Sequence, residues 1–211
     1  MRFFKVLFNN LRMSESQFVR KGEIWVYTGP MKSGKSKALI FMLDKIRHAK
    51  IPFIAIKPET DTRELHIRNS QDNFPKWEYL DSGNPSLRSQ RFFDAPVIVI
   101  DEAQFFGSSL VGEILFHQKQ GKHILIAGLD LDFKGRPFGI MPEILSHANK
   151  IEKLDAACEY DWCSQPARFT QRLINGNPAN YNEPLVSVEG NKKNETYQAR
   201  CLNHHFVPGR P

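Results

Sequence analysis

The strongest constraint in this chain of 211 residues is one short run, Gly29-Pro30-Met31-Lys32-Ser33-Gly34-Lys35-Ser36. It matches G-x-x-x-x-G-K-[ST] at every fixed position. The apolar run Ile24-Trp25-Val26-Tyr27 stands directly before it. After it, Ala38, Leu39, Met42, Leu43 and Ile46 recur at helical spacing. Strand, glycine loop and helix in that order build an anion cradle. The glycines let the backbone curl until its N–H groups surround phosphate oxygens, and the helix N-terminus adds its positive dipole end. Lys35 is placed to reach the β and γ phosphates of a nucleotide, and the Ser36 hydroxyl to ligate Mg²⁺.

A second motif completes the first. Val97-Ile98-Val99-Ile100 runs into Asp101-Glu102, so a carboxylate is expected at the C-terminal edge of the sheet beside the phosphate loop. There Asp101 would bind Mg²⁺ directly or through water, and Glu102 would take a proton from a water or a substrate hydroxyl. Asp101-Glu102-Ala103-Gln104 also resembles the box of ATP-driven nucleic-acid helicases. Those enzymes close ATP between two tandem domains, and this chain has room for one.

The apolar runs at 24–27, 52–56, 97–100 and 123–127 are continuous rather than alternating, which predicts a parallel sheet with helices on both faces. A helix is expected from Leu110 to Gln118, and an irregular polar stretch from Arg63 to Gln90. The expected organisation is an N-terminal extension over 1–22, disordered and basic, an α/β nucleotide-binding domain over 23–157 and a small module over 158–211. Hydrophobic residues make up 41% and charged residues 25%, so a real core is available and disorder as the main state is excluded. No apolar run approaches the ~20 residues of a membrane span. Three cysteines suit a reducing compartment rather than a disulfide scaffold, and the expected location is cytoplasmic. The net charge of +6 suits anionic partners without choosing among them.

The last 54 residues hold all three cysteines and little apolar sequence, so they need a staple. Cys158 and Cys163 form one close pair and Cys201 and His204 another, separated by a longer insertion. That is the layout of a structural zinc site, with His205 as an alternative fourth ligand.

Together these residues resemble the zinc-containing thymidine kinases. The resemblance rests on the phosphate loop, Asp101 to Phe106, the run Gly128-Leu-Asp-Leu-Asp-Phe-Lys-Gly-Arg-Pro-Phe-Gly139, the late Cys/His pairs, Arg168 to Leu173 and Tyr197, and it spans about residues 22 to 209. It implies a P-loop (RecA-like) fold with a C-terminal zinc-binding subdomain. The implied reaction moves the ATP γ-phosphate to the 5′-hydroxyl of thymidine or deoxyuridine, in nucleotide salvage for DNA synthesis. Glu102 is then the general base. Gly29 to Ser36, Asp101 and Arg63 serve ATP and Mg²⁺. Met31, Gln104, Phe105, Leu129, Phe133, Phe138, Thr170, Val186, Val188 and Tyr197 surround the nucleoside. A homotetramer and feedback inhibition by dTTP are implied as well, with no membrane and no nucleic acid as partner. One departure stands out, since the Cys158–Cys163 spacing is wider than the x₂ of the family. The competing reading, an ATP-hydrolysing nucleic-acid-binding protein with a zinc module, predicts a clustered basic stripe, and the Lys and Arg residues here are scattered.

Overall fold

The computed structural model describes residues 19–60, 76–185 and 194–211. Strand β1 (Ile24–Thr28) enters the phosphate loop, and helix α1 (Lys35–His48) leaves it. There follow β2 (Phe53–Pro58), β3 (Trp77–Leu80), α2 (Gln90–Asp94), β4 (Val97–Ile100), a 3₁₀ turn (Ala103–Phe105), α3 (Ser109–Lys119), β5 (His123–Gly128), α4 (Met141–His147) and β6 (Lys150–Lys153). All six strands are parallel, in the order β3-β2-β4-β5-β1-β6. Strand β5 therefore lies between the strand that ends in the phosphate loop and the strand that ends in Asp101.

The alternation hidden in the continuous apolar strands sorts into two layers. Ile24, Val26, Ile98, Ile100, Ile124 and Ile126 pack with Phe92 of α2, Leu110 and Ile114 of α3, and Met141 and Ile144 of α4. Trp25, Tyr27, Val97, Val99, Leu125 and Ala127 pack with Leu39, Met42, Leu43 and Ile46 of α1. Every residue of β4 is fully buried, as a strand covered on both faces must be. Val19 is already packed in the α1 layer, so order is present before the expected boundary at residue 22; residues 1–18 lie outside the described residues.

Two strands of this sheet escaped the sequence reading. β3 lies in the stretch expected to be irregular, as an edge strand beside β2. β6, Lys150–Lys153, pairs with β1 at the other edge, and all four of its residues are exposed. An edge strand with no apolar residue facing a core carries no hydrophobic signal.

Beyond β6 the chain builds small sheets. β7 (Ala156–Ala157) pairs antiparallel with β8 (Pro166–Ala167). β9 (Phe169–Ile174) is flanked by β10 (Asn177–Pro178) and β11 (Glu195–Arg200). Among the described residues no helix is long and apolar enough to cross a membrane.

Candidate active site

The phosphate loop has the backbone its glycines promise. Gly29 has φ +141°, and a Cβ there would sit 2.1 Å from the Leu154 carbonyl oxygen, so no side chain fits. Gly34 turns with φ +89° into α1. The Lys35 ammonium is buried and donates to the Pro30 carbonyl at 2.6 Å, which holds the charge over the loop. The Ser33 hydroxyl is buried with no hydrogen-bond partner among the described residues, a donor suited to an anion. Lys32, also expected at the phosphates, pairs through its side chain with Glu159 at 2.6 Å on a half-exposed edge.

Strand β4 delivers Asp101 to the same corner. Its Oδ2 lies 3.5 Å from the Ser36 hydroxyl and 3.3 Å from the ammonium of buried Lys57. Burial, with Glu102 beside it, pushes Asp101 up to about 6, against the pull of Lys57. A buried carboxylate beside a hydroxyl is an oxygen-ligand set of the kind Mg²⁺ takes, and the cation's charge would offset the burial. Glu102 follows in the left-handed region (φ 55°, ψ 40°), which turns its side chain away from the strand direction. Gln104, in the 3₁₀ turn, donates from Nε2 to Glu102 Oε2 at 2.6 Å and accepts the Leu129 N–H at 2.9 Å through Oε1.

The run from Gly128 to Gly139 folds into a tight turn. Leu131 bridges Pro137, and Asp132 Oδ1 accepts the N–H groups of Lys134 and Arg136 at 2.8 and 2.9 Å. Phe105 and Phe138 meet edge to face at 5.6 Å. The Met31 N–H donates to the Thr170 hydroxyl at 2.9 Å, which ties the phosphate loop to β9. Phe133 is buried in a small apolar cluster with Ala179 and Val207, with the guanidinium of fully buried Arg172 at 5.3 Å from its ring centre. Arg172 also binds Glu195 and donates to the Pro184 carbonyl at 2.5 Å. Tyr197 donates to Glu195 at 3.3 Å. Arg63, Val186 and Val188 lie outside the described residues.

Cys158, Cys163, Cys201 and His204 converge, with all four ligand atoms within 4.8 Å of one another. Sγ of Cys163 and Cys201 are 3.9 Å apart, and His204 Nδ1 lies 3.6 Å from Cys158 Sγ and 3.3 Å from Cys201 Sγ. A tetrahedral zinc with ordinary bond lengths separates two sulfurs by about 3.8 Å and sulfur from nitrogen by about 3.6 Å, so the donor set fits the metal. No disulfide joins the cysteines. Burial pushes the Cys158 thiol up, but hydrogen bonds from the backbone at Cys201 and Tyr160 outweigh it and bring the thiol down to about 6, which favours the thiolate a metal needs. Tyr160 stacks on His204 at 4.1 Å. His205 is excluded from the cluster. Its Nε2 donates to the Phe133 carbonyl at 3.0 Å, and its ring stacks on Phe169.

Four contacts were missed by sequence reasoning: Lys32–Glu159, Met31–Thr170, Gln104–Leu129 and Arg172–Glu195. They join residues between 23 and 139 positions apart, and no local spacing reports such pairs.

A glycine loop between β1 and α1, with a buried Asp101 at the end of β4 facing Ser36, defines a P-loop α/β protein. The family model described as thymidine kinase matches residues 22–205. A thymidine kinase of Coprothermobacter proteolyticus is 44% identical over 190 residues, covering 90% of this chain and 93% of the relative. This chain belongs to the thymidine kinase family. Among solved structures, the flagellar accessory protein FlaH from Methanocaldococcus jannaschii aligns with a TM-score of 0.49 at 12% identity, over 70% of this chain and 76% of that one. Family membership gives the nucleic-acid motor reading of Asp101 to Gln104 no support.

Proposed function

We propose that this chain transfers the γ-phosphate of ATP to the 5′-hydroxyl of thymidine, and less readily of deoxyuridine, giving dTMP. The observation that carries the reading is the corner where Ser36, Asp101 and Glu102 meet above the phosphate loop, on a chain of the thymidine kinase family. The loop N–H groups and Lys35 hold the triphosphate. Ser36 and Asp101 would hold Mg²⁺, which neutralises charge on the transferred phosphoryl group. Glu102 takes the proton of the 5′-hydroxyl, the freed oxygen attacks the γ-phosphorus, and the bond to ADP breaks. Met31, Leu129, Phe105, Phe138 and Thr170 line the nucleoside side, with Phe133 behind them under Arg172.

In this reading residues 23–157 carry nucleotide and catalysis, and residues 158–211 carry a structural zinc on Cys158, Cys163, Cys201 and His204. Four protein ligands leave the metal no open position for a reacting water. A homotetramer and inhibition by dTTP complete the reading, by likeness to the family.

Phosphorylation of the natural nucleosides with ATP and Mg²⁺ tests it. Thymidine should react best and deoxyuridine more slowly, with deoxyadenosine, deoxyguanosine and uridine nearly inert. A purine edge would leave buried backbone groups unpaired at about 1–3 kcal/mol each. Comparable kcat/KM for deoxyguanosine and thymidine overturns it.

A further inference from the structure

Gln104 is 3% exposed, although it sits two residues after a candidate catalytic carboxylate at the rim of the site. Its amide orientation is settled by chemistry. The Leu129 backbone N–H can only donate, so the atom facing it at 2.9 Å is the amide oxygen. The NH₂ group is then left for Glu102 Oε2 at 2.6 Å, where an acceptor-only carboxylate requires a donor. Both ends of the side chain are committed, one to Glu102 and one to the start of the turn from Gly128 to Gly139.

The turn's backbone also comes close to Gln104 at two glycines. A Cβ on Gly128 would lie 2.9 Å from Gln104 Oε1 and 2.6 Å from Met141 Sδ. A Cβ on Gly139, where φ is +51°, would lie 2.2 Å from the Gln104 carbonyl oxygen. The two glycines that bound the turn thus let it close on Gln104 from both sides. Glu102 itself is pinned at its backbone by a left-handed φ and by its N–H bond to Asp101 Oδ1 at 3.0 Å. These contacts act on the Glu102 backbone, and the Gln104 amide acts on its carboxylate, at Oε2.

We propose that Gln104 is a positioning residue for the phosphoryl transfer: it holds the plane of the Glu102 carboxylate and ties that orientation to the backbone of Leu129. The inference rests on the kinase reading and on Glu102 as base. A carboxylate that must receive a proton within hydrogen-bond reach in one geometry loses rate when it wanders, because orientation carries a large share of such catalysis.

Gln104→Glu is the discriminating substitution. It keeps the shape and the acceptor for the Leu129 N–H, and it replaces the donor to Glu102 with a second acceptor. Single-turnover transfer to thymidine is measured in four proteins: wild type, Glu102→Gln, Gln104→Glu and the double variant, each with its melting temperature and zinc content. The expected result is a ~10–100-fold slower transfer in Gln104→Glu, with KM for thymidine and ATP within about threefold of wild type. In the Glu102→Gln background the same change should alter the residual rate by less than about threefold, since its route through Glu102 is gone. Equal losses in both backgrounds, or a Gln104→Glu rate within about threefold of wild type, overturn the inference while leaving the kinase reading intact. An inactive wild type, or an active Glu102→Gln, fails the reading itself and the inference with it. Gln104→Met serves where Gln104→Glu does not fold. It removes both bonds, so slower transfer accompanied by a raised thymidine KM is expected, and unchanged transfer overturns the inference.

Discussion

The six-stranded sheet and the Cys/His module hold together by opposite means. In the sheet, two apolar layers cover β4 and β5 completely, and the large side chains point inward. Around the cysteines the buried cluster is Cys158, Ala167, Ala199 and Cys201, while Tyr160, Trp162, Leu202 and Phe206 face solvent. Hydrophobic stabilisation scales with apolar area removed from water, and four small side chains remove little. The module puts its polar chemistry where a core would be, with three thiols and an imidazole at metal-binding distance. Structural zinc supplies folding free energy directly, on the order of 10 kcal/mol in small peptides, which is the scale of a whole domain's net stability.

The harshest break of this contrast is Cys201→Ser. Zinc, measured by mass spectrometry on protein purified without added metal, should fall from one per chain to well below one. Hydrogen exchange should show the segments around β7, β8 and β11 opening while the sheet keeps its protection. An unprotected sheet in that variant would mean that the two regions fold as one.

The mirror-image break is Leu39→Ala, which empties a fully buried site between α1 and the sheet. A loss of about 2–5 kcal/mol in urea unfolding is expected, with zinc stoichiometry unchanged.

A smaller effect probes a weakness inside the sheet. His123 is fully buried at the start of β5, edge-on to Trp25 at 4.8 Å. Burial pushes it from 6.5 down to about 4, against the pull of Glu23. The folded protein keeps His123 neutral while the unfolded chain takes up a proton, so stability is lost as pH falls from 6.5 toward about 4. His123→Phe should flatten that part of the pH–stability curve by roughly 3 kcal/mol. A curve parallel to wild type would show that other groups set the acid limb.

The least effect is expected at the seam. Lys32→Ala removes a half-exposed ion pair between the phosphate loop and Glu159. It should change stability by under about 1 kcal/mol, and high salt should erase the difference.

How much was legible in the sequence follows the same division. The phosphate loop, Asp101 and the Cys/His pairs could be read because their chemistry needs particular residue types at particular spacings. The inner strands could be read because burial on both faces demands unbroken apolar runs. β6 could not, since Lys150, Ile151, Glu152 and Lys153 are all exposed, and their backbone pairing with β1 leaves no apolar pattern in the sequence. Arg172 could not either. A buried arginine looks like a surface residue until Glu195, Pro184 and Phe133 are brought around it by the fold. The choice between His204 and His205 turned on ring direction, which neighbouring positions in a sequence do not encode.

The bond from the Met31 N–H to Thr170, with the Lys32–Glu159 pair beside it, gives the enzyme an economy of its own. Thermodynamic reciprocity makes coupling between two sites run both ways by the same factor. Anything bound in the loop that steadied Met31 and Lys32 would, through these two contacts, also steady β9 and the Glu159 carboxylate next to Cys158.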